Sequence, residues 1–330
     1  MSYNIKYLIR PIDSEIEGEI NRMNMLEFTA VLFSGLIAAY VIILILYHVQ
    51  RQQDIHRCQE IIKKNSLTFY QAFSRINNKK KREAVYAVYA FCRYADNLAD
   101  EDHNRDALEE LEEELTLYKE GVNIHHFRWR ALRTTTKPFY QASYDYKPFY
   151  DMIEGQKRDL NHQGFETLDE LLTYCYLVAG TVGLMLIPIL ANEHIEELEK
   201  FAIELGYAMQ ITNILRDIGE DYQNHRIYIP REMMKNANYS FDDLAHGRIN
   251  YEFRALFEEL ATLAEGYFST SLDSIYLFPE DSRTPLALSI ILYKEILNSC
   301  RENGYDVFSK KHTVSEEKKN LLIQDYLDSI

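Results

Sequence analysis

The chain has 330 residues, 47% of them hydrophobic, enough for one large domain or two modest ones around a substantial core. Only 12 glycines and 7 prolines occur, which favours long helices over a turn-rich sheet. A formal net charge of −15 excludes general nucleic-acid binding, which needs a basic face, and admits phosphorylated ligands only through bridging cations.

The first stretch, residues 1–27, is polar and mixed in charge. Residues 28–47, FTAVLFSGLIAAYVIILILY, then run for twenty positions without a charge. A helix of that length spans a hydrocarbon core of about 30 Å. Thr29 and Ser34 are its only polar side chains, so the polar stripe of a buried soluble helix is missing. The segment reads as a transmembrane helix. A cleaved signal peptide is disfavoured by the long polar stretch before it and by the lack of a small-x-small site after it. Lys6, Arg10 and Arg22 precede the span, and Arg51, Arg57, Lys63 and Lys64 follow it. The positive-inside rule therefore leans towards a cytoplasmic C-terminal portion. Gly35-x-x-x-Ala39 has small-residue spacing, with lipid contact as its default role.

Residues 48–330 read as one all-α domain. Glu83–Asp100 is apolar nearly all round, as an interior helix would be. Ala107–Tyr118 places Leu108, Leu111 and Leu115 on one face, and its glutamates form a solvated outer face. Leu168–Leu190 is long and apolar, and is expected to be broken by Gly180, Gly183 and Pro188. Ile203–Asp221 is a further apolar helix. Pro230 suits the first turn of the helix holding Glu232 and Met233, and Ser240 with Asp243 resembles an N-terminal capping box. Cys58, Cys92, Cys175 and Cys300 form no C-x-x-C, so they read as reduced thiols in a helical core.

The chemistry concentrates in Gln210–Arg226, QITNILRDIGEDYQNHR. Asn213, Asp217 and Asp221 stand at i, i+4 and i+8, on one helix face. Three such side chains on an apolar helix are costly to bury alone, and hard divalent cations sharing phosphate oxygens would satisfy them. A second pair, Asp96 and Asp100, has the same i, i+4 spacing. A lone pair of this kind is usually a solvated face; two pairs at the ends of apolar helices shift the balance towards metal. Arg93, Arg216 and Arg226 accompany them and could either neutralise the acids or grip phosphate.

In order along the chain stand Ser66-Leu67-Thr68-Phe69, Tyr89–Arg93 followed by Asp96–Asp100, Tyr174–Gly183 (YCYLVAGTVG), Gln210–Asp221 and Arg226-Ile227-Tyr228. Through these motifs, from about His56 almost to the C-terminus, the chain resembles the squalene/phytoene synthase family, and within it most resembles the bacterial dehydrosqualene (diapophytoene) synthases. The resemblance implies a single-domain isoprenoid-synthase helical bundle with a central cavity. It implies Mg²⁺ ligands at Asp96, Asp100, Asn213, Asp217 and Asp221, for two or three ions. It implies diphosphate or outer partners at Arg93, Gln210, Arg216 and Arg226, a flap carrying Ser66 and Phe69, and a further acid at Asp159. Tyr89, Tyr174 and Tyr293 are implied to lie near the reacting carbons or the diphosphate. Asn97 replaces a second consecutive acid seen in some relatives, with the Asp96/Asp100 spacing intact.

The implied reaction joins two farnesyl diphosphates head to head through a cyclopropylcarbinyl diphosphate to dehydrosqualene, the first committed step towards C30 carotenoids. Phe73 aligns where thirty-carbon synthases are bulky, and Tyr86 is one turn before Tyr89. A forty-carbon phytoene synthase using geranylgeranyl diphosphate, and a squalene synthase using NADPH, remain the alternatives. NADPH is not expected. The substrate and the membrane are the expected partners, with coupling to a membrane-associated desaturase and no nucleic acid. The rival from another class is a catalytically silent, membrane-anchored assembly factor, whose signature would be lost metal ligands. A di-iron bundle would need Glu-x-x-His pairs, and no His is suitably placed near Asp96 or Asp217.

Overall fold

The computed structural model describes residues 25–100, 104–191, 193 and 195–329, with Met25, Leu26, Asp100 and Ile195 described by backbone alone. Lys6, Arg10 and Arg22, and with them most of the polar N-terminal stretch, lie outside the described residues. The described residues are helical, with no strand among them. The chain divides into two compact units, Met1–Gln53 and Asp54–Ile330.

The first unit contributes most of helix α1 (Met25–Asn65). From Phe28 to Val49 its large apolar side chains are exposed, with no face buried against protein. Gly35 has open space around it, so no small-residue contact forms there. This helix is long and apolar enough to cross a membrane.

In the second unit the end of α1 buries Ile55, Cys58 and Ile62 in the core. There follow α2 (Leu67–Phe73), α3 (Lys79–Asp100), α4 (Arg105–Lys119), α5 (Phe127–Thr136), α6 (Lys147–Asp159) and α7 (Leu168–Cys175). A turn of π-helix, Tyr176–Gly180, joins α7 to α8 (Thr181–Leu190). Then come α9 (Ile195–Gln223), α10 (Arg231–Asn236), α11 (Phe241–Ala245), α12 (Tyr251–Asp273), α13 (Glu280–Glu302) and α14 (Glu316–Ser329).

Local chemistry sets the boundaries. Ser66, Asn104 and Asn250 cap α2, α4 and α12 with side-chain oxygens that accept backbone N–H bonds. Thr167 with Glu170 and Ser240 with Asp243 form full capping boxes. Pro230 sits just before α10, as its cap, one position earlier than expected. Leu108, Leu111 and Leu115 are buried as one stripe of α4. All four cysteines are free and buried.

The core has α9 at its centre, packed on α12, α8 and α13, while α3 packs on α5, α6 and α8. Leu168–Leu190 is not broken where its sequence suggests. The chain stays helical through Gly183 and Pro188 to Leu190, and the irregularity is the π-turn before Thr181. The reason is a close approach. A Cβ on Gly206 of α9 would lie 2.5 Å from Cα of Gly180, so the backbones of α9 and the π-turn touch. Glycine serves here as a spacer of zero thickness. Phe91 of α3, packed on Trp129 (5.6 Å) and Phe149 (5.0 Å), anchors the opposite side. Each such aromatic contributes roughly 1.5–3 kcal/mol on burial.

Candidate active site

The helix α9 presents Asn213, Asp217 and Asp221 along one face, as the spacing requires. Asn213 Nδ2 donates to Gln210 Oε1 at 3.3 Å, and its Oδ1 accepts from Tyr293 of α13 at 3.0 Å. Asp217 is gripped by Arg216 at 2.8 and 2.5 Å, and Lys311 Nζ lies 3.2 Å from Asp217 Oδ1. Lys311 also reaches Glu220 at 2.9 Å. Asp221 lines a narrow recess with Arg226, Tyr228, Ile214 and Ile218. Its carboxyl is pushed up to about 8 by burial first, then by repulsion from Asp217 and Glu220, with Arg226 opposing.

Beyond that recess, Asp159 at the end of α6 is buried between Arg226 Nη1 (3.1 Å) and the Tyr228 hydroxyl, which donates at 2.7 Å. Tyr174 stacks on Tyr228 at 5.3 Å, so it joins this group rather than the flap rings. The His162 ring lies 4.4 Å from that of Tyr228, and its Nε2 bonds the Ile227 carbonyl oxygen at 2.8 Å.

On the other side, Ser66 Oγ accepts from Phe69 N at 3.4 Å and so starts α2. The Phe69 ring stacks on Tyr293 at 5.2 Å and on Phe73 at 5.9 Å, with Tyr89 edge-on at 6.5 Å. Phe73 is buried, and Tyr86 is buried against Tyr70 at 6.2 Å. Burial drives the phenols of Tyr89, Tyr174 and Tyr228 up.

At the end of α3, Arg93 Nη1 bonds Asp96 Oδ2 at 2.5 Å. The Asp100 side chain lies outside the described residues. Among the described residues, no three acidic, thiol or imidazole side chains gather tightly enough to enclose one cation. The donor set still fits Mg²⁺, which takes one or two carboxylates and completes its shell with water and phosphate oxygen. Two observations support that fit. Burial first, and then the neighbouring Asp217 and Glu220, push the Asp221 carboxyl up, so its charged form is favoured by a cation beside it. In the same turn as Asp96, the buried Oδ1 of Asn97 accepts no hydrogen bond.

The row Asn213, Asp217 and Asp221 lies on one helix, as the sequence spacing implied. Sequence reasoning missed Lys311, which belongs to no motif and reaches Asp217 from a distant segment, and it missed that Tyr228 ties Asp159 to the Arg226 motif.

A family model described as squalene/phytoene synthase matches residues 62–318. The chain belongs to the squalene/phytoene synthase family. Among its relatives, phytoene synthase 3, chloroplastic, of Zea mays is 34% identical, over 83% of this chain and 66% of its own length. The family member described here thus spans about two thirds of that maize relative. The 15-cis-phytoene synthase of Synechococcus elongatus is 35% identical, over 79% of this chain and 88% of its own. A crystal structure of a dehydrosqualene synthase in complex with ligand superposes with a TM-score of 0.80 at 41% identity, covering 86% of this chain and all (100%) of that one. The helical architecture is therefore that of the family.

Proposed function

We propose that this chain is a Mg²⁺-dependent prenyltransferase that condenses two farnesyl diphosphates head to head to dehydrosqualene, without NADPH. The observation that carries the reading is Tyr293. Its hydroxyl bonds Asn213 of the acidic row while its ring stacks on Phe69 of the flap, so polar and apolar halves of the site meet at one side chain.

The metal ligands under this reading are Asp96, Asp100, Asn213, Asp217 and Asp221. Mg²⁺, when bound, neutralises charge on the departing diphosphate. Arg93, Arg216, Arg226 and Lys311 supply further positive charge around that group, and Gln210 orients Asn213. The rings of Phe69, Phe73, Tyr89 and Tyr293 exclude water that would capture an allylic cation. Their faces each add cation–π attraction of roughly 0.5–2 kcal/mol. Attack by the double bond of the second substrate on the cation left by the first diphosphate, with loss of a proton as the ring closes, gives the cyclopropylcarbinyl diphosphate, which loses the second diphosphate, rearranges and gives up a second proton.

Phe73, buried beside Phe69, and the 41% identity to a dehydrosqualene synthase favour fifteen-carbon substrates. The phytoene synthase relatives support a second reading with geranylgeranyl diphosphate. The apolar part of α1 would anchor the protein in a membrane, with residues 48–330 as the catalytic domain on the cytoplasmic side. A membrane-associated desaturase is the natural consumer of so apolar a product.

The test is product analysis of the purified full chain with Mg²⁺ and each prenyl diphosphate. A thirty-carbon triene-centred hydrocarbon from farnesyl diphosphate without NADPH is expected. Farnesol alone would end the synthase reading. Squalene formed only with NADPH would move the chain to the reductive branch, and preference for the twenty-carbon substrate would select phytoene.

A further inference from the structure

The short helix α2 has two faces. One carries Phe69 and Phe73 into the main core, against Tyr293. The other carries Ala72 into a separate apolar cluster with Leu288 and Leu292 of α13 and Ile323 of α14. The C-terminal helix thus backs the flap from outside. A hydrogen bond reinforces the contact: Gln71 Nε2 donates to Glu316 Oε2 at 2.9 Å, at the start of α14. Lys319 holds the other Glu316 oxygen at 2.8 Å, and Lys318 reaches Glu295 of α13 at 3.2 Å.

The segment leading into α14 packs on α9 at Gly219, on the side turned away from the acidic row, and its Lys311 side chain reaches round to the row. Gly219, between Asp217 and Asp221, donates its N–H to the Val307 carbonyl oxygen at 3.2 Å. A Cβ at position 219 would sit 2.6 Å from both Val307 O and Phe308 Cα, so only glycine permits this approach. Four residues further on, Lys311 reaches Asp217 and Glu220. Ser315 Oγ then accepts from Lys318 N at 3.2 Å and begins α14. One continuous piece of chain therefore touches the acidic row at one end and the flap at the other. The family match stops at residue 318, so most of α14 lies outside it.

We propose that residues 304–329 form a strap that couples the Asp217 row to the flap, so that a diphosphate carrying a divalent cation, on reaching the row, tightens α2 over the site. Lys311 is the sensing end. A cation at Asp217 repels its ammonium and a diphosphate oxygen attracts it, so loading the site moves this side chain in one direction. Glu316 and Ile323 are the positioning end, acting through Gln71 and Ala72 on Phe69. The inference rests on the reading of α2 as the cover of the substrate site.

Hydrogen exchange of the full chain, with and without Mg²⁺ and inorganic diphosphate, tests both levels. In the parent, the ligands are expected to slow exchange of amides 67–74 about tenfold, while α12 is unchanged. Lys311→Met is expected to bind Mg²⁺–diphosphate more weakly by calorimetry and, at ligand concentrations that saturate it, to lose that protection. Ile323→Ala is expected to raise exchange at α2 before any ligand is added. Glu316→Ala, at an exposed position, carries the same expectation should the Ile323 variant fold poorly. Protection in the parent that both Lys311→Met and Glu316→Ala retain overturns the strap while sparing the flap. Calorimetric binding without protection in the parent overturns the flap reading and the strap with it.

Discussion

The two acidic helices of the site are built to different standards. On α9, Asn213 is bonded to Tyr293, Asp217 to Arg216 and Lys311, and the backbone between the acids is pressed against Val307 and Phe308. At the end of α3, Asp96 is a third exposed and pairs with Arg93 of its own helix. One region is tied to α13 and to the segment 307–311, and the other is a helix end. Under the proposed function, α9 would set where the diphosphate sits.

Substitutions can break this comparison. Asp217→Ala removes the residue that Arg216 and Lys311 both grip, and a loss of turnover of about a thousandfold is expected in single-turnover product assays. Asp96→Ala should cost less, about a hundredfold, with a raised Mg²⁺ requirement. Equal losses at unchanged Mg²⁺ dependence would show that the two helices hold the ligand alike. Gly206→Ala should lower stability by about 1–3 kcal/mol in denaturant titration, because a methyl group has no room beside Gly180. A neutral outcome would mean that α9 is less rigid than its contacts suggest.

Much of the α9 row could be read from sequence. A row at i, i+4 and i+8 is a property of helix geometry, so Asn213, Asp217 and Asp221 declared themselves. So did the capping box at Ser240 with Asp243, while the one at Thr167 with Glu170, which rests on the same local chemistry, is a finding of the structure. What escaped notice depends on contacts between distant segments. Nothing in the sequence around Lys311 points to Asp217. The Gly180–Gly206 contact likewise needs two helices before either glycine has meaning, which is why Leu168–Leu190 read as broken rather than bulged.

Two smaller effects sharpen the picture. Tyr293→Phe keeps the stack on Phe69 and removes only the bond to Asn213, so a loss of about tenfold in turnover is expected. A larger loss would place the hydroxyl closer to the chemistry than its role in orienting Asn213 requires. Deleting residues 1–47 leaves Ile55, Cys58 and Ile62 in the core, so turnover should be unchanged while the protein moves from membrane to soluble fraction in sedimentation.

The contact between Gly180 and Gly206 also bears on redesign. If the proposed function holds, an engineer who wishes to change product length would vary side chains around Phe73, where ring packs on ring. The seam where two backbones meet offers no such freedom, since nothing can be made smaller than hydrogen. Libraries aimed at chain length should therefore vary the side chains around Phe73 and leave the Gly180–Gly206 seam unchanged.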